Sequence, residues 1–164
     1  MQLEPRFQGK GFGGPFNQRA IEWYRASGVH GISLSDHNGY VWASQGFGFA
    51  QGTVPEHTIT ALRSLIGDLR AGRTKDQFGV AIPRALRQAS DLDAQLVIAE
   101  DVLRRATTLQ PGAPGYPTAR EMSQMGRTAQ RGKTSTWLGK FFMFENGSTS
   151  EMVLNPNQGV IISQ

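Results

Sequence analysis

The chain has 164 residues, which is enough for one domain with a sizeable hydrophobic core. Its 17 lysines and arginines exceed its 13 acidic residues, and the net charge of +4 is too small for a dedicated nucleic-acid-binding protein. The sequence has no cysteine, which excludes disulfides and cysteine-ligated metals. The absence of cysteine also suits a cytoplasmic protein, and no apolar run is long enough to predict a membrane span.

Residues 1–16 are rich in glycine and are expected to form a flexible arm, followed by a single α/β domain over residues 17–164. The arm contains Gly9–Gly14 (GKGFGG), which matches the letters of the G-x-G-x-x-G dinucleotide-binding motif. That motif needs a β-strand immediately before its glycines, and here Pro5 interrupts the short segment that precedes them. The arm is therefore not expected to bind a dinucleotide.

A first helix is predicted over residues 18–27. Asn17 is a favourable N-cap residue, and Gly28 is a favourable stop. The largest side chains of this helix are Trp23 and Tyr24. Amphipathic aromatic side chains can bury one edge and expose the other, so these two can pack on a sheet, face a ligand, or do both.

A β-hairpin is predicted next, with one strand on each side of Asn38-Gly39. This pair tolerates the positive φ angles of a type I′ turn, whose twist suits a hairpin. Successive side chains of a strand point to opposite faces. Tyr40 and Trp42 are therefore expected on one face of the hairpin, with Val41 on the other.

A second helix is predicted over residues 55–71. Thr53 and Glu56 have the spacing of a capping box, and Gly72 is a natural left-handed stop. The apolar residues of this helix recur at helical spacing and form one stripe that is expected to face the core. They are Ile59, Leu62, Leu65, Ile66 and Leu69.

Residues 73–134 are predicted to form a largely helical insertion. They hold a short edge strand at 77–82, a long helix at 91–107 with a broad apolar face, and a weaker helix at 118–130. The run Pro111–Pro117 cannot be helix or central strand and separates the last two helices. After the insertion, the segments TWLGKFFMFEN, EMVLN and VIIS are predicted to be strands.

Residues that could support catalysis lack a recognisable arrangement. Asp36, His37 and His57 could form a triad with a serine, but no nucleophile elbow accompanies them. The histidines, which also include His30, lack the spacing of helical metal ligands. We therefore expect neither an enzyme nor a bound metal or other cofactor. A small nuclease-type toxin that uses His37 or His57 is the least favoured alternative.

Basic residues concentrate after the Pro-rich run. The loop Gly126–Thr134 (GRTAQRGKT) resembles a phosphate-binding P-loop, but five residues separate its glycines where the motif has four. A looser, charge-driven contact with phosphate groups or nucleic acid stays open. The residues that would make this contact are Arg120, Arg127, Arg131, Lys133 and Lys140.

The candidate partner-binding residues are aromatic: Trp23, Tyr24, Tyr40 and Trp42. A first helix lying across one face of the hairpin would bring these four together. Such a cluster is either a small aromatic core or a platform for a proline-rich or flat apolar ligand, because aromatic grooves favour preformed extended segments.

The stretch SLSDHNGYVWASQGFGFAQGTVPEHTITALRSLI resembles profilins, in which a hairpin of the form DG-x-VWA leads through a Phe-containing loop into a helix. WLGKFFMFENGSTSEMVL is similar, more loosely, to the later profilin hairpin. Together these stretches cover about half of the chain. The two sequences differ in two places. Residues 73–134 have no counterpart in an ordinary profilin, and no segment of this sequence matches the C-terminal helix of profilins. Roadblock-type domains, with GV-x-G before the first strand as in Gly28–Gly31, are the second choice.

The profilin resemblance implies an α/β fold with a central antiparallel sheet, of about five strands, flanked by helices. It also implies a non-enzymatic, cytoskeletal role in binding a protein partner, either actin or a proline-rich segment. Polyproline contacts carry over to Trp23, Tyr24 and Trp42 only. The alternative hypothesis is a self-assembling coat or filament subunit whose basic segments contact nucleic acid. A homo-oligomer fits either hypothesis.

Overall fold

The structure is a computed structural model that describes residues 13–35, 39–132, 134–146 and 151–154. Within these ranges the protein combines helices with one small antiparallel sheet. The helices are α1 (Gly13–Ala26), α2 (Gly39–Ser44), α3 (Glu56–Arg70), α4 (Arg84–Arg87), α5 (Leu92–Thr108), α6 (Ala119–Gln124) and α7 (Leu138–Phe141). The strands are β1 (Ile32–Ser35), β2 (Gly48–Phe49) and β3 (Glu151–Leu154). A 3-10 turn (Ala50–Gly52) follows β2, and a π-helical segment (Phe142–Asn146) follows α7.

Helix α1 is longer than predicted and begins at Gly13, so Asn17 is not its N-cap. Gly28 does end the helical region, with a φ of 75° that favours glycine. The described side chains of α1 are mostly exposed, and Ile21 is the residue of this helix that packs against the core. A helix of this length is marginal without tertiary contacts, so α1 depends on this packing.

The sheet has the strand order β1-β3-β2, and both pairings are antiparallel. Ile32 lies opposite Leu154 in the first pairing, and Gly48 lies opposite Val153 in the second. The prediction of a strand at EMVLN is confirmed by β3, while VIIS and Asn38 lie outside the described residues. The described sheet has three strands, against the about five expected from the profilin resemblance.

The prediction of a second hairpin strand after Asn38-Gly39 is wrong, because Gly39–Ser44 forms helix α2. Gly39 and Ala43 are buried, and their separation of four residues places them on one face of a helix. The alternation of Val41 and Ala43 with aromatic residues suggested a strand. Tertiary packing of α2 against α6 outweighed that local pattern.

Helix α3 is confirmed, and all five residues of its predicted apolar stripe are buried. The predicted capping box is wrong. Pro55 occupies the N-cap position, its carbonyl oxygen accepts from the Thr58 and Ile59 N–H groups, and Thr53 donates instead to the Gln51 carbonyl. Gly72 follows the helix with a φ of 67°, as predicted for a left-handed stop.

Helix α5 is confirmed and packs against α3. Its buried apolar face holds Leu96, Ala99, Val102 and Ala106. An ion pair of 2.7 Å between Arg70 and Glu100 joins the two helices at the surface. The broad apolar face predicted for this helix is divided by the fold, because Val97 and Ile98 stay 62% and 46% exposed.

The predicted strand at residues 77–82 is reduced to a single bridge between Lys75 and Ala81. The Asp76 side chain stabilises the turn between them, because one of its carboxylate oxygens accepts hydrogen bonds from the N–H groups of Phe78 and Val80. An aspartate side chain that accepts a hydrogen bond from the backbone N–H two residues later stabilises a turn, and this interrupts the predicted strand.

The predicted strand TWLGKFFMFEN is also wrong, because this segment forms α7 and the π-helical segment. Leu138, Phe141 and Phe142 are buried at the three- and four-residue spacing of a helix face. The N–H of Leu138 at the start of α7 is bonded by the buried Gln95 side chain at 2.9 Å. A contact between residues 43 positions apart in sequence cannot be read from local pattern.

A single buried cluster joins the elements and includes residues from within 73–134, such as Leu86 and Met122, next to residues of α3 and β3. The division of the chain into a flexible arm, a domain and an insertion stays a prediction. Among the described residues, no helix is both long enough and apolar enough to cross a lipid bilayer.

Candidate functional site

Trp23 and Tyr24 are an exposed aromatic pair near the C-terminal end of α1. Their ring centroids lie 5.3 Å apart, with an angle of 63° between the ring planes, which is an edge-to-face contact. Trp23 is 64% exposed and Tyr24 is 36% exposed. Large aromatic side chains with this exposure are typical of binding surfaces when they occur together. We call these two residues the α1 aromatic pair.

Tyr40 and Trp42 lie on α2 and contact different rings. Tyr40 meets Trp137 edge to face at 5.8 Å, and Trp42 meets Phe47 at 5.4 Å. Both side chains are partly buried and pack against the core. The described ring contacts therefore join Trp23 to Tyr24 and give Tyr40 and Trp42 other partners, so the four predicted aromatic residues do not form one cluster through these contacts. The predicted role of each in binding a partner stays a prediction.

Trp137 is a residue that the sequence reasoning missed, because it was placed in a strand. It is 2% exposed, and its indole N–H donates to the Ser123 carbonyl at 2.9 Å. The Lys140 ammonium lies 5.1 Å from its ring centroid, and the Arg127 guanidinium carbon lies 5.8 Å from it. The signal in the sequence was the three-residue spacing of Trp137 and Lys140, which is helical.

Arg127 and Arg131 line an open cleft of about 360 Å³ after the end of α6. The other lining residues are Gln124, Thr128 and Ala129. We call this feature the arginine cleft. Arg127 is exposed, and its guanidinium donates to Gln124 Oε1 at 2.9 Å.

Arg131 is tied to the helical core. Its guanidinium donates to Asp91 Oδ1 at 2.6 Å and to the Gly126 carbonyl. The hydrogen bond from Arg131 is the main reason that the pKa of Asp91 is lowered, and the hydrogen bond from Gln95 adds to it. Asp91 is therefore ionised at neutral pH and holds Arg131 in place.

Gln95 connects this ion pair to the buried interior. It is 1% exposed, its amide N–H donates to Asp91 Oδ1 at 3.0 Å, and its carbonyl oxygen accepts from Leu138 N–H. Gly126 passes so close to Gln95 that a Cβ at that position would overlap the glutamine side chain. The Gln95 network therefore fixes the course of the loop that carries both arginines of the cleft.

Of the remaining predicted basic residues, the described ones are Lys140 and Arg120, and neither belongs to the cleft lining. Lys140 donates to the Ser135 carbonyl at 2.9 Å and lies over the rings of Tyr40 and Trp137. Arg120 is exposed on α6. Lys133 lies outside the described residues.

A second ion-pair group lies at the other end of α5. Arg105 contacts Asp101 at 2.7 Å and also binds Glu121, so it joins α5 to α6. These carboxylates raise the pKa of Arg105, Glu121 most of all, while hydrogen bonds from Arg104 and then Arg105 lower the pKa of Asp101. The arrangement is that of a structural link between helices, because Arg105 also donates to the Gly115 carbonyl at 2.7 Å.

The candidate catalytic and metal-binding residues are dispersed or lie outside the description. Asp36 and His37 are outside the described residues, while His30 and His57 are exposed. Within the described ranges, no group of three or more His, Asp or Glu side chains is placed to hold a metal ion. The prediction that the protein is not an enzyme stays a prediction.

Comparisons with protein-family models, with curated proteins and with solved structures find no match to this chain. The profilin-like and roadblock-like assignments therefore rest on the sequence patterns alone. What the geometry adds is an exposed aromatic pair on α1 and a basic cleft beside α6.

Proposed function

We propose that the protein is a non-enzymatic protein-binding domain that holds a proline-rich or flat apolar segment of its partner on the α1 aromatic pair. The single observation that carries this proposal is the exposure of Trp23 and Tyr24, which contact each other edge to face on one helix. The narrower form of the proposal is a cytoskeletal role with either actin or a proline-rich segment as the partner, and it comes from the profilin resemblance.

The chemistry of the aromatic pair suits an extended proline-rich ligand. Proline rings are compact and apolar, and a polyproline II segment loses little conformational entropy when it docks between aromatic rings. Two rings set at 63° form a shallow corner instead of one flat surface. The Tyr24 hydroxyl and the Trp23 indole N–H can also donate hydrogen bonds to the exposed carbonyl oxygens of such a ligand.

The position of the pair on α1 also supports the proposal. Most described side chains of α1 are exposed, so a ligand can reach the helix without displacing other elements. Burying the exposed part of Trp23 against a ligand is favourable by about 1–2 kcal/mol from apolar area alone. Trp23 is therefore expected to act as the anchor residue of the contact.

A direct test titrates the full chain with a polyproline peptide, and separately with actin, while tryptophan fluorescence is recorded. We expect a saturable change with the peptide in wild-type protein and a much weaker affinity in Tyr24→Ala, which removes half of the pair and keeps Trp23 as the reporter. Phe16→Ala is the matched control, because Phe16 is also exposed on α1, is not part of the pair and leaves all tryptophans in place. No saturable change with either titrant at high micromolar concentration would remove the proposal.

A second candidate function is a self-assembling structural subunit. The observation in its favour is the exposed apolar pair Val97 and Ile98 on α5, the longest described helix. Apolar residues exposed next to each other on a helix are suited to contact a second copy. Light scattering on the purified chain tests this candidate, because a monomeric mass at tens of micromolar protein would exclude it.

A further inference from the structure

We propose that the arginine cleft binds a phosphate group, held between the guanidinium groups of Arg127 and Arg131. This inference is independent of the α1 aromatic pair. The cleft is open, has a volume of about 360 Å³, and is lined by polar or basic side chains except at Ala129. A cleft with this lining suits a charged ligand better than an apolar one.

The two arginines are held in position before any ligand arrives. Arg131 is fixed by Asp91 and by the Gly126 carbonyl. Arg127 is fixed by Gln124 Oε1 at 2.9 Å and by the face of Trp137. An arginine that is already ordered loses less side-chain entropy when it binds an anion.

Both guanidinium groups keep donors for a ligand. The described hydrogen bonds of Arg131 come from its two terminal nitrogens, and the one described for Arg127 comes from Nη1. A guanidinium carries more N–H donors than these bonds use, and its planar fork matches the oxygens of phosphate. Thr128, which is exposed and lies on the same cleft, adds a hydroxyl donor.

The local charge favours an anion even though one arginine is paired. Asp91 offsets part of the charge of Arg131, which leaves Arg127 as the main source of attraction. Lys140 adds positive charge nearby, since its ammonium lies 5.1 Å from the centroid of the Trp137 ring that Arg127 also approaches. Arg127 is therefore the residue whose removal should weaken binding most.

The course of the loop explains why the cleft differs from a P-loop. Gly126 has a φ of 80° and leaves no room for a side chain beside Gln95, and its carbonyl accepts from Arg131. In a P-loop the backbone N–H groups wrap the phosphate. Here the N–H groups of Arg127 and Arg131 are bonded to the Gln124 and Thr128 carbonyls at 2.8 Å and 3.1 Å, so neither is directed at a ligand and the guanidinium groups supply the contact that we propose.

The test follows the backbone amide signals of Thr128 and Arg131 by NMR while the full chain is titrated with inorganic phosphate at constant ionic strength. Sodium chloride is the matched titrant. We expect saturable shifts with phosphate and not with chloride. Arg127→Gln should weaken the affinity about tenfold, the usual effect of losing a charged hydrogen-bond donor. Arg63→Gln, at an exposed arginine of α3 outside the cleft lining, should leave it unchanged.

Two further titrants identify the source of the phosphate group. If adenosine monophosphate binds more tightly than inorganic phosphate, while an oligothymidine binds no more tightly than inorganic phosphate for each of its phosphates, the ligand is a small phosphorylated molecule. Tighter binding of the oligothymidine that weakens steeply with salt would support a nucleic-acid backbone. Equal shifts with phosphate and chloride, or an unchanged dissociation constant in Arg127→Gln, would overturn the proposal and leave the α1 aromatic pair unaffected.

Discussion

Replacing the buried Gln95 with leucine tests the network that holds α5, α7 and the arginine cleft together. Leucine has a similar volume, so the change removes hydrogen bonds with little effect on packing. The Leu138 N–H at the start of α7 then loses the Gln95 oxygen as its acceptor, and Asp91 loses the bond from Gln95 while it keeps the one from Arg131. An unsatisfied buried donor costs about 1–3 kcal/mol, and we expect a loss of about 2 kcal/mol in the free energy of unfolding.

This loss is measured by urea unfolding followed by far-ultraviolet circular dichroism. With a urea dependence of about 2 kcal/mol per molar, the midpoint should fall by about 1 M. Gln88→Leu is the matched control: Gln88 is exposed and accepts from Arg84 at 2.7 Å, so its loss should change stability by less than about 0.5 kcal/mol. Equal midpoints for the two variants would refute the role of Gln95 as the buried acceptor for the Leu138 N–H.

Three further changes test separate parts of the structure. Gly139→Ala should destabilise by about 3 kcal/mol in the same urea assay, because a Cβ there would meet the backbone of α6; wild-type stability would contradict this packing. Trp42→Ala should lose about 1–2 kcal/mol, as expected for a half-buried ring, and an unfolded variant would instead show that Trp42 is essential core. The pKa of Asp91 is lower in the folded state than its ordinary value of 3.8, so the ion pair stabilises the protein at pH values above 3.8. This stabilisation is lost as the pH falls through the folded-state pKa. The stability advantage of wild type over Asp91→Asn should therefore shrink below about pH 4, and an advantage that grows there would contradict the ion pair.

The long amphipathic helices could be predicted from the sequence because their apolar residues recur at one spacing over several turns. The stripe of α3 is buried as a whole, and α5 lies within one residue of its predicted bounds. Gly28 and Gly72 also end their helices as expected, since a left-handed residue is a local requirement. These features depend on neighbours in sequence, which a pattern can show.

The short segments could not be predicted, because tertiary contacts decide them. Gly39–Ser44 carries aromatic and β-branched residues that favour a strand, yet it is helical where Ala43 is buried. In α7 the close approach of Gly139 to the backbone of α6 and the bond from Gln95 come from distant parts of the chain. An alternating pattern over six residues does not outweigh such contacts.

The candidate site was predicted in its residue types and not in its arrangement. Trp23, Tyr24, Arg127 and Arg131 were singled out because aromatic and basic side chains suit binding. The predicted grouping of Trp23 and Tyr24 with Tyr40 and Trp42 depended on a hairpin whose second strand is helix α2 in the structure. The sequence also gave no sign that Asp91 and Gln95 would hold Arg131, since 40 residues separate the ion pair.

The most direct test of the proposed function uses the three tryptophan side chains as reporters at known positions. Each indole N–H gives its own signal in a proton–nitrogen NMR spectrum, and a polyproline peptide is added to the full chain. The account predicts that the Trp23 signal shifts and saturates, while the signal of Trp137, buried and bonded to Ser123, stays in place. An unmoved Trp23 signal, or equal shifts of all three, would contradict binding at the α1 aromatic pair.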